Sequence, residues 1–395
     1  MKQYVFEGDQ KQCYGCQTCE QVCPQKCITM EPDAEGFFHP VIDVETCIEC
    51  ELCYNSCPVV KSDAIFHPVS DTVFAAWSKN HNEVMQSTSG GVFPVLANQV
   101  LSIGGVVYGC AWGNEFQAEH IRITSVDDLW KLKKSKYVQS FIGKTFCQVK
   151  EDLENELTVL YSGTGCQIAG LNLFLKKKYA NLITIDLVCH GVPSHKILKA
   201  YVDYLKEKGK SDISELQFRT KKENDHRAYI SWKKQDEKRV NFLGGSSPYM
   251  RGFYQGFFNR ESCYSCKFAQ GKRVSDITLA DYFGIEAAHP EFDQKKTSGV
   301  SLLICNSPKG IDIVNSASSQ LEIHPSSFEK GALKNRSLSQ PVLRPTLRDY
   351  IYKELDTSGF KSISKTYLSP PSLFFIYKMT PYCLIRLAKW LTGKK

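Results

Sequence analysis

Residues 13–24 read Cys13-x2-Cys16-x2-Cys19-x3-Cys23-Pro24, and residues 47–58 repeat the spacing as Cys47-x2-Cys50-x2-Cys53-x3-Cys57-Pro58. Two residues between cysteines make a tight turn, so three thiolates of one run converge on a single cubane. The fourth cysteine follows on a short helix, points away and reaches the other cubane. Proline then ends the turn. Eight cysteines in this tandem order fit two [4Fe-4S] clusters, whereas a structural zinc site needs only four ligands. Cys27 is left over and reads as a small buried residue.

This stretch resembles a bacterial two-cluster ferredoxin domain. The resemblance implies Cys13, Cys16, Cys19 and Cys57 on one cluster, and Cys47, Cys50, Cys53 and Cys23 on the other. The rest of the chain agrees with a redox protein. It has 17 cysteines among 395 residues, and its first residues show neither an apolar core nor a cleavage site of a signal peptide. Reduced thiols in a cytoplasmic setting are therefore expected, with metal or redox chemistry ahead of a disulfide framework. An apolar share of 42% with 23% charged residues excludes a mainly disordered chain. Two or three domains are expected at this length.

The net charge of +7 is divided unevenly: residues 1–65 hold four basic and eleven acidic side chains, or −7, which leaves +14 for the remainder. No zinc-finger, RNP-like or helix-turn-helix pattern accompanies the basic part, so a nucleic-acid partner is not expected.

Beyond the head, Ser87-Thr-Ser-Gly-Gly91 is a small-residue turn opening an apolar segment. Such a turn either lets backbone N–H groups approach a phosphate or is simply a glycine turn. Gly143-Lys144-Thr145 imitates the end of a P-loop, but Val138 stands where its first glycine belongs. Residues 157–206 give the clearest α/β passage. Leu157–Tyr161 reads as a strand, 162–166 as a tight loop, and Gln167–Tyr179 as a helix with apolar residues at 168, 171, 174 and 175. Asn181–Val188 is a second strand, closing in Cys189-His190-Gly191, and Ser194 can cap a following helix. A right-handed crossover makes these strands parallel, which places Cys166 and Cys189 at one edge of a sheet. Cys263-x2-Cys266 supplies a further pair. From spacing alone these four cysteines fit a third cubane, a zinc site or free thiols.

Seven ordered motifs then resemble the coenzyme F420 hydrogenase/dehydrogenase beta-subunit family. They are Ser-Thr-Ser-Gly-Gly (87–91), Ser-Lys-Tyr-Val-Gln-Ser (135–140), Ser-Gly-Thr-Gly-Cys-Gln (162–167), Cys-His-Gly-Val-Pro-Ser (189–194), Cys-Tyr-Ser-Cys-Lys-Phe (263–268), Ser-Asp-Ile-Thr-Leu-Ala-Asp-Tyr-Phe-Gly (275–284) and Gly-Val-Ser-Leu-Leu (299–303). With the head they span roughly residues 10–350. The family usually has Pro where Gly165 stands and Gly where Ala280 stands. The resemblance implies Cys166, Cys189, Cys263 and Cys266 as ligands of a third [4Fe-4S] cluster. It also implies FAD contacts from Thr88, Ser89, Gly90, Gly91, Lys136, Tyr137, Gln139, Ser162, Gly163 and Thr164.

The expected fold is α+β or α/β, with a small ferredoxin-like head and a larger α/β flavin-binding body containing parallel strands. The expected divisions are 1–65 for the head, 66–155 for a flavin-contacting region, 156–350 for a domain with the third cluster, and 351–395 for a basic tail. The expected activity is electron delivery from a low-potential donor, such as ferredoxin or a reductase or hydrogenase subunit, through the clusters to FAD and an organic acceptor, or the reverse. The rival is a relay subunit with no substrate of its own. His190 is the candidate proton donor, or else orients the cluster loop. In the tail, residues 367–391 carry Pro370, Pro371 and Pro381, and after Pro381 an amphipathic helix with Leu384, Leu387, Ala388 and Leu391 on one face. That helix is expected either to dock on the body or to give peripheral contact with the inner face of a membrane.

Overall fold

The computed structural model describes residues 10–369, apart from 210, 224, 235–237 and 297. The tail helix expected after Pro381 lies outside the described residues. Among those described, no helix is long and apolar enough to cross a membrane.

The head contains helix α1 (Thr18–Val22) and an antiparallel hairpin of β1 (Ile28–Pro32) and β2 (Phe38–Ile42). The body is built on eight strands: β3 (Val73–Ser78), β4 (Val106–Trp112), β5 (Ala118–Ile123), β6 (Val159–Thr164), β7 (Leu182–Leu187), and, after an inserted hairpin sheet of β8 (Ile213–Lys222), β9 (Asp225–Lys234) and β10 (Arg239–Leu243), also β11 (Ile277–Asp281), β12 (Ser301–Cys305) and β13 (Leu321–Pro325). Their spatial order is β13-β3-β12-β11-β7-β6-β4-β5. The middle four, β11-β7-β6-β4, are parallel, and antiparallel strands complete both sides. The parallel core expected from the sequence is therefore set in a mixed sheet. This sheet takes three strands from residues 73–123 and five from residues 159–325.

Helices α2 (Val92–Ser102), α3 (Thr145–Glu154) and α4 (Gly165–Leu175) pack on it, while α5 (His195–Gly209) and α6 (Arg348–Thr366) form a second core with the inserted sheet. The β6-α4-β7 unit follows the expected crossover, with one local difference. Ser162–Thr164 continue β6 by pairing with Ile185–Leu187, so the expected loop is strand and the helix starts at Gly165. Helix α4 is buried nearly all round, at Gln167, Ile168, Ala169, Gly170, Leu171 and Leu175. A helix without a wet face is covered on both sides, here by the sheet and by the head.

Two aromatic rings fasten head to body. Tyr14 belongs to the core cluster around Tyr108, Phe146 and Phe268, and Phe37, at the tip of the β1–β2 hairpin, packs on Tyr352 of α6. Each ring buried in this way contributes about 1.5–3 kcal/mol. Polar staples add direction: Gln17 Oε1 accepts from the Ile142 and Gly143 N–H groups, and Gln21 Oε1 accepts from those of Phe146 and Cys147 at the start of α3. The Arg348 guanidinium pairs with Glu35.

Candidate functional site: three thiol groups and neighbouring cations

The tandem spacing folds into two loops of one conformation. Gly15 and Gln17 take left-handed φ values of 65° and 60°, and their counterparts Glu49 and Glu51 take 53° and 59°. This turn points an N–H back at the first sulfur of each run: Gly15 N to Cys13 Sγ at 3.3 Å, and Glu49 N to Cys47 Sγ at 3.4 Å. Gly191 N meets Cys189 Sγ at 3.3 Å in the same way. Such N–H···S contacts are one lever by which a protein tunes a cluster.

Cys13, Cys16, Cys19 and Cys57 all line one cavity, closed by Tyr14, Met30 and Val59. All four are buried. Burial pushes Cys16 and Cys57 up to about 12, with repulsion between neighbouring thiolates adding to it, and raises Cys19 well above its usual value. At Cys13 burial also opposes ionisation, but His39, the Arg260 charge and the Gly15 N–H outweigh it and the pKa falls. Four thiols packed this way resist ionising together unless a cation is placed among them. That chemistry fits an iron cluster.

The second group is open. Cys50 is exposed, and Cys23, Cys47 and Cys53 are half-buried. Cys27, left over by the spacing, is buried with its sulfur 3.3 Å from that of Cys23.

In the body, Cys166 stands at the start of α4 and Cys189 just past the end of β7, the shared sheet edge expected for them. Cys263 and Cys266 join them. Burial raises all four, with Cys166 and Cys189 pushed up to about 12 and Cys266 to about 11, and like-charge repulsion couples each to others of the four. The buried pair Arg273–Asp186, at 2.7 Å, helps fix this loop, because Arg273 also donates to Phe268 O at 2.8 Å. Among the described residues no three His, Cys, Asp or Glu side chains gather in a way that would hold a single metal ion.

The first and third groups are neighbours. A Cβ at Gly170 would lie 3.3 Å from Cys16 Sγ, and Cys166 sits four residues earlier on α4, one turn away on the same face. Tyr14, next to Cys13, accepts from Lys267 N at 3.4 Å beside Cys266. Arg260 is 2% exposed and its Nε donates to Cys13 O, its Nη2 to Phe38 O at 2.9 Å and its Nη1 to Gln139 Oε1 at 3.2 Å.

The residues implied as FAD contacts fall into two parts. Thr88 Oγ1 accepts from Ser135 N at 2.9 Å, which joins the 88–91 turn to Lys136 and Tyr137. Gly90 is required by packing, since a Cβ there would be 2.4 Å from Ala76 O, and Gly91 has a φ of 79° where α2 begins. Ser89 Oγ and Gly90 N bond to Val300 O and Ser301 Oγ, so the 87–91 and 299–303 motifs hold each other. The Lys136 ammonium is buried, donates to the carbonyls of Lys131 and Lys133 at 3.0 and 2.9 Å, and is pushed down to about 8 by burial. The Tyr137 ring packs against Phe253 and Phe218. The other part lies toward the head. Gln139 Nε2 donates to Tyr14 O at 2.9 Å, Ser162 Oγ donates to Tyr108 O at 3.1 Å, Thr164 Oγ1 is 3.1 Å from Cys166 Sγ, and a Cβ at Gly163 would be 3.1 Å from Gln167 Oε1. His120 stacks on Tyr161 with Nε2 3.0 Å from Ser162 O, and burial pushes it down to about 4. Its Nδ1 is buried without a partner among the described residues. An orphaned polar atom and a buried ammonium bonded only to carbonyls both suit a polar, anionic cofactor.

His190 follows Cys189, and its Nε2 is 3.2 Å from Tyr254 O; burial lowers its pKa. Sequence reasoning missed Lys134, Arg219 and Lys221. They lie on no recognisable motif; β8 carries Arg219 to Asp281 and Lys221 to the 88–91 turn, where Lys221 Nζ donates to Ser89 O at 2.6 Å.

Residues 157–330 match the family described as the C terminus of the coenzyme F420 hydrogenase/dehydrogenase beta subunit, and residues 12–60 match the 4Fe-4S dicluster domain. An uncharacterized protein of Methanocaldococcus jannaschii is 25% identical over 224 residues, covering 50% of this chain and 56% of its own length. An uncharacterized ferredoxin of the same organism is 36% identical over 50 residues, covering 13% of this chain and 64% of its own length. The chain thus spans less than two thirds of the length of these curated relatives. A chain of the F420-reducing [NiFe] hydrogenase complex from Methanosarcina barkeri superposes with a TM-score of 0.45 at 15% identity, over 74% of this chain and 89% of that one. The chain joins a 4Fe-4S dicluster domain to a C-terminal domain of the coenzyme F420 hydrogenase/dehydrogenase beta-subunit family.

Proposed function

We propose that this chain is an iron–sulfur flavoprotein oxidoreductase, passing single electrons from a low-potential donor through three [4Fe-4S] clusters to FAD and an organic acceptor, or in reverse. The observation that carries this reading is the placement of the buried Cys13, Cys16, Cys19 and Cys57 cavity beside the four thiols of Cys166, Cys189, Cys263 and Cys266. Those two sets would hold the first and third clusters, and Cys47, Cys50, Cys53 and Cys23 the second. FAD, when bound, supplies the conversion between one-electron and two-electron chemistry. Thr88, Ser89, Gly90, Gly91, Lys136, Tyr137, Gln139, Ser162, Gly163 and Thr164 are the residues proposed to hold it. His190, whose Nε2 is 3.2 Å from Tyr254 O, is the residue proposed to move a proton. Thiols kept available for iron call for a reducing, cytoplasmic setting.

A second reading, a relay subunit handing electrons to a catalytic partner, is favoured by one observation: the matched family is described as a beta subunit. Protein purified without air should contain about twelve irons, four for each of three cubanes, with one FAD. Cys166→Ala should lower iron to about eight and leave the head clusters visible in the spectrum. Iron unchanged in that variant would remove the third cluster, and zinc in place of iron would remove the whole reading.

A further inference from the structure

Lys134 and Arg219 lie close to Lys221, which bonds to the 88–91 turn, and their charges are unevenly answered. Arg219 binds both oxygens of Asp281, at 2.8 and 3.1 Å, and Arg239 pairs with Glu215. Neither lysine is bonded to a carboxylate among the described residues. Lys221 Nζ donates to Val84 O at 2.7 Å and to Ser89 O. An ammonium has three N–H donors, and the third meets no partner among the described residues. Lys134 Nζ donates to Gln217 Oε1 at 2.9 Å. Burial lowers Lys221 to about 7, with Arg219 and Lys134 repelling it and Asp281 opposing the shift.

The backbone is strained where it delivers these cations. Lys134 and Arg219 both take left-handed φ values, 65° and 59°, and the β8–β9 register shifts between Gln217 and Thr220 around Arg219. Non-glycine residues in this region, and bulges in strands, persist where the fold holds them and gather at ligand sites. A Cβ at Gly299 would stand 3.1 Å from Lys221 Nζ, so a side chain there would crowd the ammonium, and Tyr254, beside Arg219 and Asp281, is 49% exposed.

We propose that Lys134, Arg219 and Lys221 form the seat of a phosphate-class anion, with the third N–H of Lys221 as its principal contact. The flavin reading bears only on whose phosphate it is: the diphosphate of FAD, or an anionic group of the organic acceptor.

The test is calorimetric titration of the full-length, anaerobically reconstituted protein with inorganic pyrophosphate, FAD and riboflavin, which lacks phosphate. Lys221→Met should weaken pyrophosphate binding about tenfold or more, as expected for loss of a charge-assisted hydrogen bond. Lys134→Met should weaken it less, Lys221→Arg should retain it, and Lys150→Met on helix α3, where Lys150 pairs with Glu154, should change nothing. Iron content reports folding, and if Lys221→Met fails to fold then Lys134→Met decides. FAD weakened in parallel, with riboflavin unaffected, assigns the seat to the cofactor. Pyrophosphate weakened while FAD and riboflavin are unchanged assigns it to the acceptor. FAD failing to bind at all would end the flavin reading and leave the anion seat standing. No binding of pyrophosphate to the wild type, or equal binding to wild type and both methionine variants, would overturn the proposal.

Discussion

The two cysteine runs of the head have the same spacing, the same left-handed turns and the same N–H···S contact, yet their surroundings are opposite. The first loop is pressed against the body, with Gly15 facing Gln139 and Arg260, and all four of its group's cysteines are buried. The second loop faces water, with Cys50 exposed and Val44 and Ile48 beside it 66% and 57% exposed. Spacing therefore decides what a loop can hold, and packing decides what the loop faces. The open group suits an outside donor, and the buried group faces the third set of thiols.

This contrast can be broken in measurable ways. The largest effect concerns access. Under an iron chelator in the presence of air, the irons of the open second group, about four, should leave quickly and those of the buried first group roughly a hundredfold more slowly, because the first group needs local opening first. A single phase for all the iron, followed by its colour, would erase the distinction. Next comes the Arg260 staple. Arg260→Met leaves Cys13 O, Phe38 O and Gln139 without their donor and should cost about 3 kcal/mol in denaturant unfolding. Copying the second loop into the first is a similar insult: Gly15→Glu puts a Cβ 2.5 Å from Gln139 Nε2 and should cost about 2–3 kcal/mol. The reverse copy, Glu49→Gly, should alter stability by less than about 1 kcal/mol, since that loop is exposed and glycine prefers its φ. Equal costs for these two swaps would show that the loops do not differ in packing.

What could be read without coordinates follows from how local each feature is. The cubane loops depend on spacing within twelve residues, and the β6-α4-β7 crossover on apolar periodicity, so both were legible. The strand ending at Thr164 was not, because Ser162 and Gly163 are poor strand formers held there by pairing with β7. The antiparallel flanks of the sheet depend on pairings such as β3 with β12, more than 200 residues apart. Gln17 and Gln21, which bind the start of α3, look like ordinary polar residues in sequence. Lys134, Arg219 and Lys221 were invisible for the same reason: their meaning comes from meeting one another in space, not from spacing along the chain.

The central claim is that electrons pass from the open second group through the buried first group to the body. Cys16→Ala tests it most directly, because it breaks the middle of the route and leaves both ends. Flavin reduction by an external protein donor, followed by stopped-flow absorbance, should fall roughly a hundredfold or more in that variant, while photochemical reduction of the bound flavin persists. Donor-driven flavin reduction at the wild-type rate, in protein shown to lack the first cluster, would contradict the account.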